Sequence, residues 1–107
     1  MSDTRLARIA ELEIDPDQLG PYLDLLTEEI TTSLAMEPGV LMLNAVALKH
    51  APHQLRLLEL YASREAYEAH IQTPHFVKYK IGTAAMVRNL RLVDVDPILL
   101  AARELQP

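Results

Sequence analysis

Glu59 to Lys80 gathers most of the side chains that could do chemistry: two of the four histidines, three of the four tyrosines and the only phenylalanine. Histidine changes charge near neutral pH, so His70 and His75 are the first candidates for a general base or acid. A core histidine bonded to a backbone carbonyl is the competing reading of His70. His75 falls in the first turn of a helix, where the macrodipole disfavours a positive charge and a neutral ring is expected. Such a ring could take a proton from a phenol or polarise a carbonyl; a surface residue after a cap is the alternative. Glu59 sits inside an apolar strand, where burial would favour its protonated form and make it a proton carrier. A salt bridge to Arg56, Arg88 or Arg91 would make it purely structural. Tyr61 shares a strand face with Glu59 and could orient a ring or donate a hydrogen bond. Tyr67 and Phe76 would add aromatic wall. Asn44, the one polar residue of another strand, could offer its amide to a ligand or bond across a subunit interface.

Three local signals position this set. Arg56 to Tyr61 is strand-like, with Leu55, Leu57, Glu59 and Tyr61 on one face. Ser63 can cap a short helix that puts Ala66, Tyr67, His70 and Ile71 on one side. Thr73-Pro74 then ends that helix and starts another, with Thr73 as N-cap and Pro74 in the first helical position. The two histidines are therefore expected to approach one place from different directions.

Glu37-Pro38-Gly39, Glu59 with Tyr61, Ser63-Arg64-Glu65-Ala66 and above all Glu68-Ala69-His70-Ile71-Gln72-Thr73-Pro74-His75-Phe76 carry a resemblance. The sequence resembles the antibiotic biosynthesis monooxygenase domain superfamily over residues 6 to 96, and within it the small quinol monooxygenases. One departure is Tyr61, where many relatives have tryptophan; this chain has none. The resemblance implies a ferredoxin-like βαββαβ sandwich whose sheets pair face to face as a dimeric α+β barrel. Each subunit would keep its own pocket between sheet and helices.

The rest of the chain agrees with a single α+β domain over its 107 residues. Arg5 to Ile14 reads as a strand. Asp15-Pro16-Asp17 starts a helix whose apolar stripe is Leu19, Leu23, Leu26, Ile30 and Leu34, stopped by Pro38-Gly39. Val40 to Lys49 is apolar almost throughout and is expected to be buried on both faces, which asks for a second copy. Residues 49 to 53 form a hairpin loop, Leu90 to Val95 a last strand, and Asp96-Pro97 a short helix to residue 105.

Composition closes several routes. The net charge of −5 lacks the footprint of nucleic-acid binding. With no cysteine there is no thiolate ligand, disulfide or thiol nucleophile. No secretory signal or membrane-length apolar run is present, so a soluble cytoplasmic protein is expected. His50 and His53 make an H-x-x-H without a third ligand, so no metal site is expected there. With three glycines, no phosphate loop or dinucleotide fingerprint is built. Where haem-degrading relatives place a histidine, this chain has Tyr79, Lys80 and Ile81. The leading reading is a cofactor-independent oxidation of a hydroquinone or related phenol by dioxygen, with His70 or His75 as the base and Tyr61 and Asn44 orienting. A sugar-phosphate or lactone isomerase using Lys78 or Lys80 as phosphate contact, and a ligand-binding dimer without turnover, are the alternatives.

Overall fold

The computed structural model describes residues 3–105. β1 (Leu6–Ile14) leads through a 3-10 turn at Pro16–Gln18 into α1 (Leu19–Met36); β2 (Val40–Leu48) and β3 (Ala51–Tyr61) follow as a hairpin. Two short helices, α2 (Arg64–His70) and α3 (Pro74–Thr83), then precede β4 (Val87–Val95). The sheet is antiparallel throughout, in the order β2-β3-β1-β4, with the helices on one face. This is the ferredoxin-like βαββαβ sandwich.

The punctuation expected from sequence forms as local chemistry dictates. The Ser63 side chain accepts from the Ala66 backbone N–H to open α2. The Thr73 side chain accepts from the Phe76 N–H, with Pro74 in the first turn of α3. The break at 71–73 turns one helix into two, so α2 and α3 aim different faces at the sheet.

Three expectations need correction. The buried stripe of α1 is Tyr22, Leu26, Glu29 and Ser33, while Leu23 and Leu34 are 39% and 45% exposed. The helix is rotated so that two polar side chains point inward, which hydrophobicity alone would never choose. β2 is an edge strand in which the chain itself buries only Val40 and Leu43; residues 44 to 48 are exposed in the single chain, on the strand whose full burial is expected to take a second copy. Residues 96 to 105 form no helix; Ile98, Leu99 and Leu105 meet no apolar surface, and so short a helix does not persist unsupported. The hairpin is also tighter than expected, since β3 begins at Ala51 and takes Pro52 and His53 into the strand.

Gly39 illustrates how the fold holds α2 against β2. Its φ is not positive, so its need for glycine is not conformational. A Cβ there would stand 2.7 Å from the Ala66 Cβ. Gly39→Ala is therefore expected to destabilise the protein by about 1–3 kcal/mol through forced separation of α2 from the sheet. An unchanged melting temperature would show that α2 yields freely.

Candidate active site

Sheet and helices enclose a cavity of about 550 Å³, a size suited to a small organic ligand. Its floor is the helix-facing side of β1 and β3, where Ala10, Leu12 and Leu57 make an apolar surface. Its mouth lies at β4 and the end of α3, where lining residues such as Lys80, Arg88 and Leu92 are exposed.

Five of the expected residues line this cavity: Glu59, Tyr61, Tyr67, His70 and Phe76. The aromatic rings form a continuous wall. Tyr61 and Tyr67 stack edge to face at 5.2 Å between centroids, and Phe76 lies 5.0 Å from the His70 ring. Tyr61 donates its hydroxyl proton to Glu59 Oε1 at 2.6 Å. No expected arginine reaches Glu59: Arg56 and Arg91 pair with Glu11, and Arg88 with Asp15. Burial raises the Glu59 pKa despite the Tyr61 hydrogen bond and the nearby Arg8 charge, which favour the anion. Burial, then the adjoining Glu59 carboxylate, push the Tyr61 phenol far up, so it stays a donor.

His70 is only 2% exposed and both ring nitrogens meet carboxylates. Its Nε2 lies 3.2 Å from Glu29 Oε1, and its Nδ1 lies 3.0 Å from Glu37 Oε2. Burial works against its charge, but the two carboxylates outweigh it and raise its pKa. The imidazolium form, which donates at both nitrogens, fits a carboxylate oxygen facing each of them. Glu37 is the mirror case. Desolvation raises its pKa, but hydrogen bonds from His70 and His75 prevail and lower it. His75 does not line the cavity; its Nε2 stands 2.6 Å from the same Glu37 Oε2.

Asn44 is not at this site. It pairs with Leu58, on the face away from the helices, and is exposed. Lys78 bonds Glu28 on the surface, whereas Lys80 reaches the cavity mouth. His53 lies 4.0 Å from Glu13, and neither it nor His50 touches the cavity.

Sequence reasoning missed Arg8, Glu29, Ser33 and Glu37. Arg8 is 8% exposed on the inward phase of β1, bonded to Asp94 at 3.0 Å, with its guanidinium 4.5 Å from the Tyr67 ring centre. Ser33 donates to Glu29 Oε1 at 2.9 Å and fixes that carboxylate. Glu37, His70 and His75 also bring three donors of metal-binding type within 4.8 Å of one another. Their 2.6 and 3.0 Å separations are hydrogen-bond distances, tighter than donors spread around one ion.

A two-layer α+β domain with an aromatic-walled cavity and an ionisable cluster on one wall is a small-molecule pocket protein of the ferredoxin-like type. The chain belongs to the antibiotic biosynthesis monooxygenase family, whose model matches residues 5–80. A candidate antibiotic biosynthesis monooxygenase from Bacteroides thetaiotaomicron is 44% identical in sequence. Its crystal structure superposes with a TM-score of 0.90, over 94% of this chain and 96% of that one. Candidates of the same description from Nitrosomonas europaea (17% identity, TM-score 0.84, 92% and 94% covered) and Caulobacter crescentus (20%, 0.79, 89% and 92%) share the fold. No relative was found among curated proteins. Family and neighbours together support a monooxygenase type of function on a small molecule. Among the described residues, no helix is long and apolar enough to cross a membrane.

Proposed function

We propose that this protein is a cofactor-independent monooxygenase that oxidises a hydroquinone or related phenol with dioxygen. The observation that carries the reading is one apolar, aromatic-walled cavity lined by Glu59, a carboxylate whose pKa burial raises, and by His70, an imidazole whose two nitrogens face carboxylates that favour its charged form. Glu59 takes the phenolic proton, because its raised pKa makes it a stronger base than an ordinary carboxylate. His70 has no free nitrogen to act as that base. Its positive charge instead stabilises the phenolate and the reduced oxygen anion. The phenolate gives one electron to dioxygen, and the resulting radical pair combines. One oxygen atom enters the ring as a hydroxyl or carbonyl, and the other leaves as water. A hydroquinone thereby becomes a hydroxyquinone, with all electrons drawn from the substrate, so no external reductant is required. Tyr61, Tyr67 and Phe76 hold the ring.

An oxygen electrode with a panel of hydroquinones tests this directly. Protein-dependent oxygen uptake above autoxidation, with a hydroxylated product, is the expected result. A panel consumed no faster than in buffer sinks the reading.

The protein is further proposed to act as a homodimer through the open sheet face. Val46 is 63% exposed on the apolar edge strand, whereas Leu43 is 7% exposed and turned inward. Val46→Asp should give a folded monomer, and Leu43→Asp should unfold the chain, read by sedimentation velocity and circular dichroism. A wild-type protein that sediments as a monomer at micromolar concentration ends the proposal.

A further inference from the structure

Glu29, His70, Glu37 and His75 stand in line with nitrogen–oxygen separations of 3.2, 3.0 and 2.6 Å, the last two of them hydrogen bonds. The line starts at the cavity wall, where Glu29 and His70 line the pocket, and ends outside it. Side-chain exposure is 6% at Glu29 and 2% at His70, against 14% at Glu37 and 12% at His75, so the outer pair reaches solvent and the inner pair does not. The middle of the chain has an unusual feature: one oxygen, Glu37 Oε2, faces a nitrogen of each ring. When both facing nitrogens carry protons, that oxygen accepts both. When one proton is missing, the other can sit on either ring, with the oxygen between them. Such an arrangement has the geometry to pass a proton from one ring to the other.

We propose that Glu37 and His75 are the route by which buried His70 gains and loses its Nδ1 proton, with His75 as the end that meets solvent. The transfer balances without electrons. A solvent hydronium gives a proton to His75 Nδ1 and becomes water, the His75 Nε2 proton moves to Glu37 Oε2, and that oxygen yields a proton to His70 Nδ1. Glu29, held by Ser33, keeps the opposite nitrogen occupied and prevents the ring from turning. The charge of His70 can then follow the charge in the cavity without the pocket opening. The groups that bear on His70 are Glu29 from α1, Glu37 after it, Glu59 and Tyr61 from β3, and His75 and Phe76 from α3. None of the others links its Nδ1 outward. In catalytic terms this rests on the oxygenase reading, and it makes His75 a positioning residue.

The test uses His75→Gln, which keeps an N–H for Glu37 but cannot carry a proton through, alongside His75→Ala. Exchange of the His70 ring N–H with water, followed by nitrogen-15 NMR on the folded protein without substrate, should slow at least about tenfold in both. With a hydroquinone that the wild type consumes, kcat should fall about tenfold at unchanged KM and recover with added imidazole. Unchanged exchange in both folded variants overturns the conduit. So does a zinc titration that binds one ion, releases protons and is abolished by His75→Ala, since the cluster would then be a metal centre. If no hydroquinone is consumed by the wild type, the oxygenase reading fails while the exchange result still decides the conduit.

Discussion

His70→Ala should lose turnover by about 10²-fold or more, because it removes the imidazole that two carboxylates hold on the cavity wall and whose charge offsets a developing anion. It should also be the more destabilising of the two histidine deletions. Glu29 is 5% exposed and would be left with Ser33 as its only remaining partner. Breaking a buried charge pair in this way costs about 3–5 kcal/mol. The pH dependence identifies the cause. The folded pKa of His70 lies above its ordinary value of 6.5, so its contribution is fully present below that value. It is lost as pH rises through the raised pKa. Glu37 has a lowered pKa, so its contribution is present above 4.5 and lost as pH falls through the lowered value. Wild-type melting temperature should therefore fall on both sides of a plateau, and His70→Ala should flatten both flanks. A folded His70→Ala protein with wild-type turnover and an unchanged stability profile would reduce this residue to core packing.

The parts of the molecule legible in sequence are those fixed by local chemistry. Ser63 and Thr73-Pro74 set helix starts through bonds to residues three positions on, so neighbours in sequence suffice. Glu59 and Tyr61 share a face because strand periodicity is two. The missed residues share a different property: they are polar at positions whose phase is buried. Arg8 stands between Leu6 and Ala10 on the inward phase of β1. Tyr22, Leu26, Glu29 and Ser33 keep the same offsets as the leucine stripe that hydrophobicity selects, but half of them are polar. An apolar pattern alone therefore rotates α1 the wrong way. Polar residues at a helical spacing, with an arginine on a facing strand, were the available signal. The side on which Asn44 falls was hidden for another reason. An all-apolar strand has no alternation to reveal its inward phase, and the register shift between Val40 and Met42 changes the parity. Glu37 could not be placed at all from sequence, since it meets His70 and His75 only through the packing of α2 on β2 and of α3 on α1.

Glu59→Gln should lower kcat/KM by about 10²- to 10⁴-fold, the range expected when a positioned base is removed. Gln is nearly isosteric and can still accept from Tyr61, so the cavity should keep its shape and KM should move little. The same substitution should raise stability at neutral and alkaline pH. Burial raises the Glu59 pKa, so the folded protein holds this proton more tightly than the unfolded chain does. Stability then falls as pH climbs from the ordinary carboxylate value through the raised one, and Gln removes that loss. Activity runs the opposite way in the wild type. The ionised carboxylate is the working base, so the rate should rise with pH through the raised pKa, and this acid limb should vanish in Glu59→Gln. Tyr61→Phe supplies the check on assignment. Tyr61 donates to the Glu59 anion, and losing that bond should push the Glu59 pKa higher and shift the acid limb of kcat/KM to higher pH. A Tyr61→Phe limb that stays in place, or a Glu59→Gln protein that turns over at the wild-type rate, would assign the base to another group.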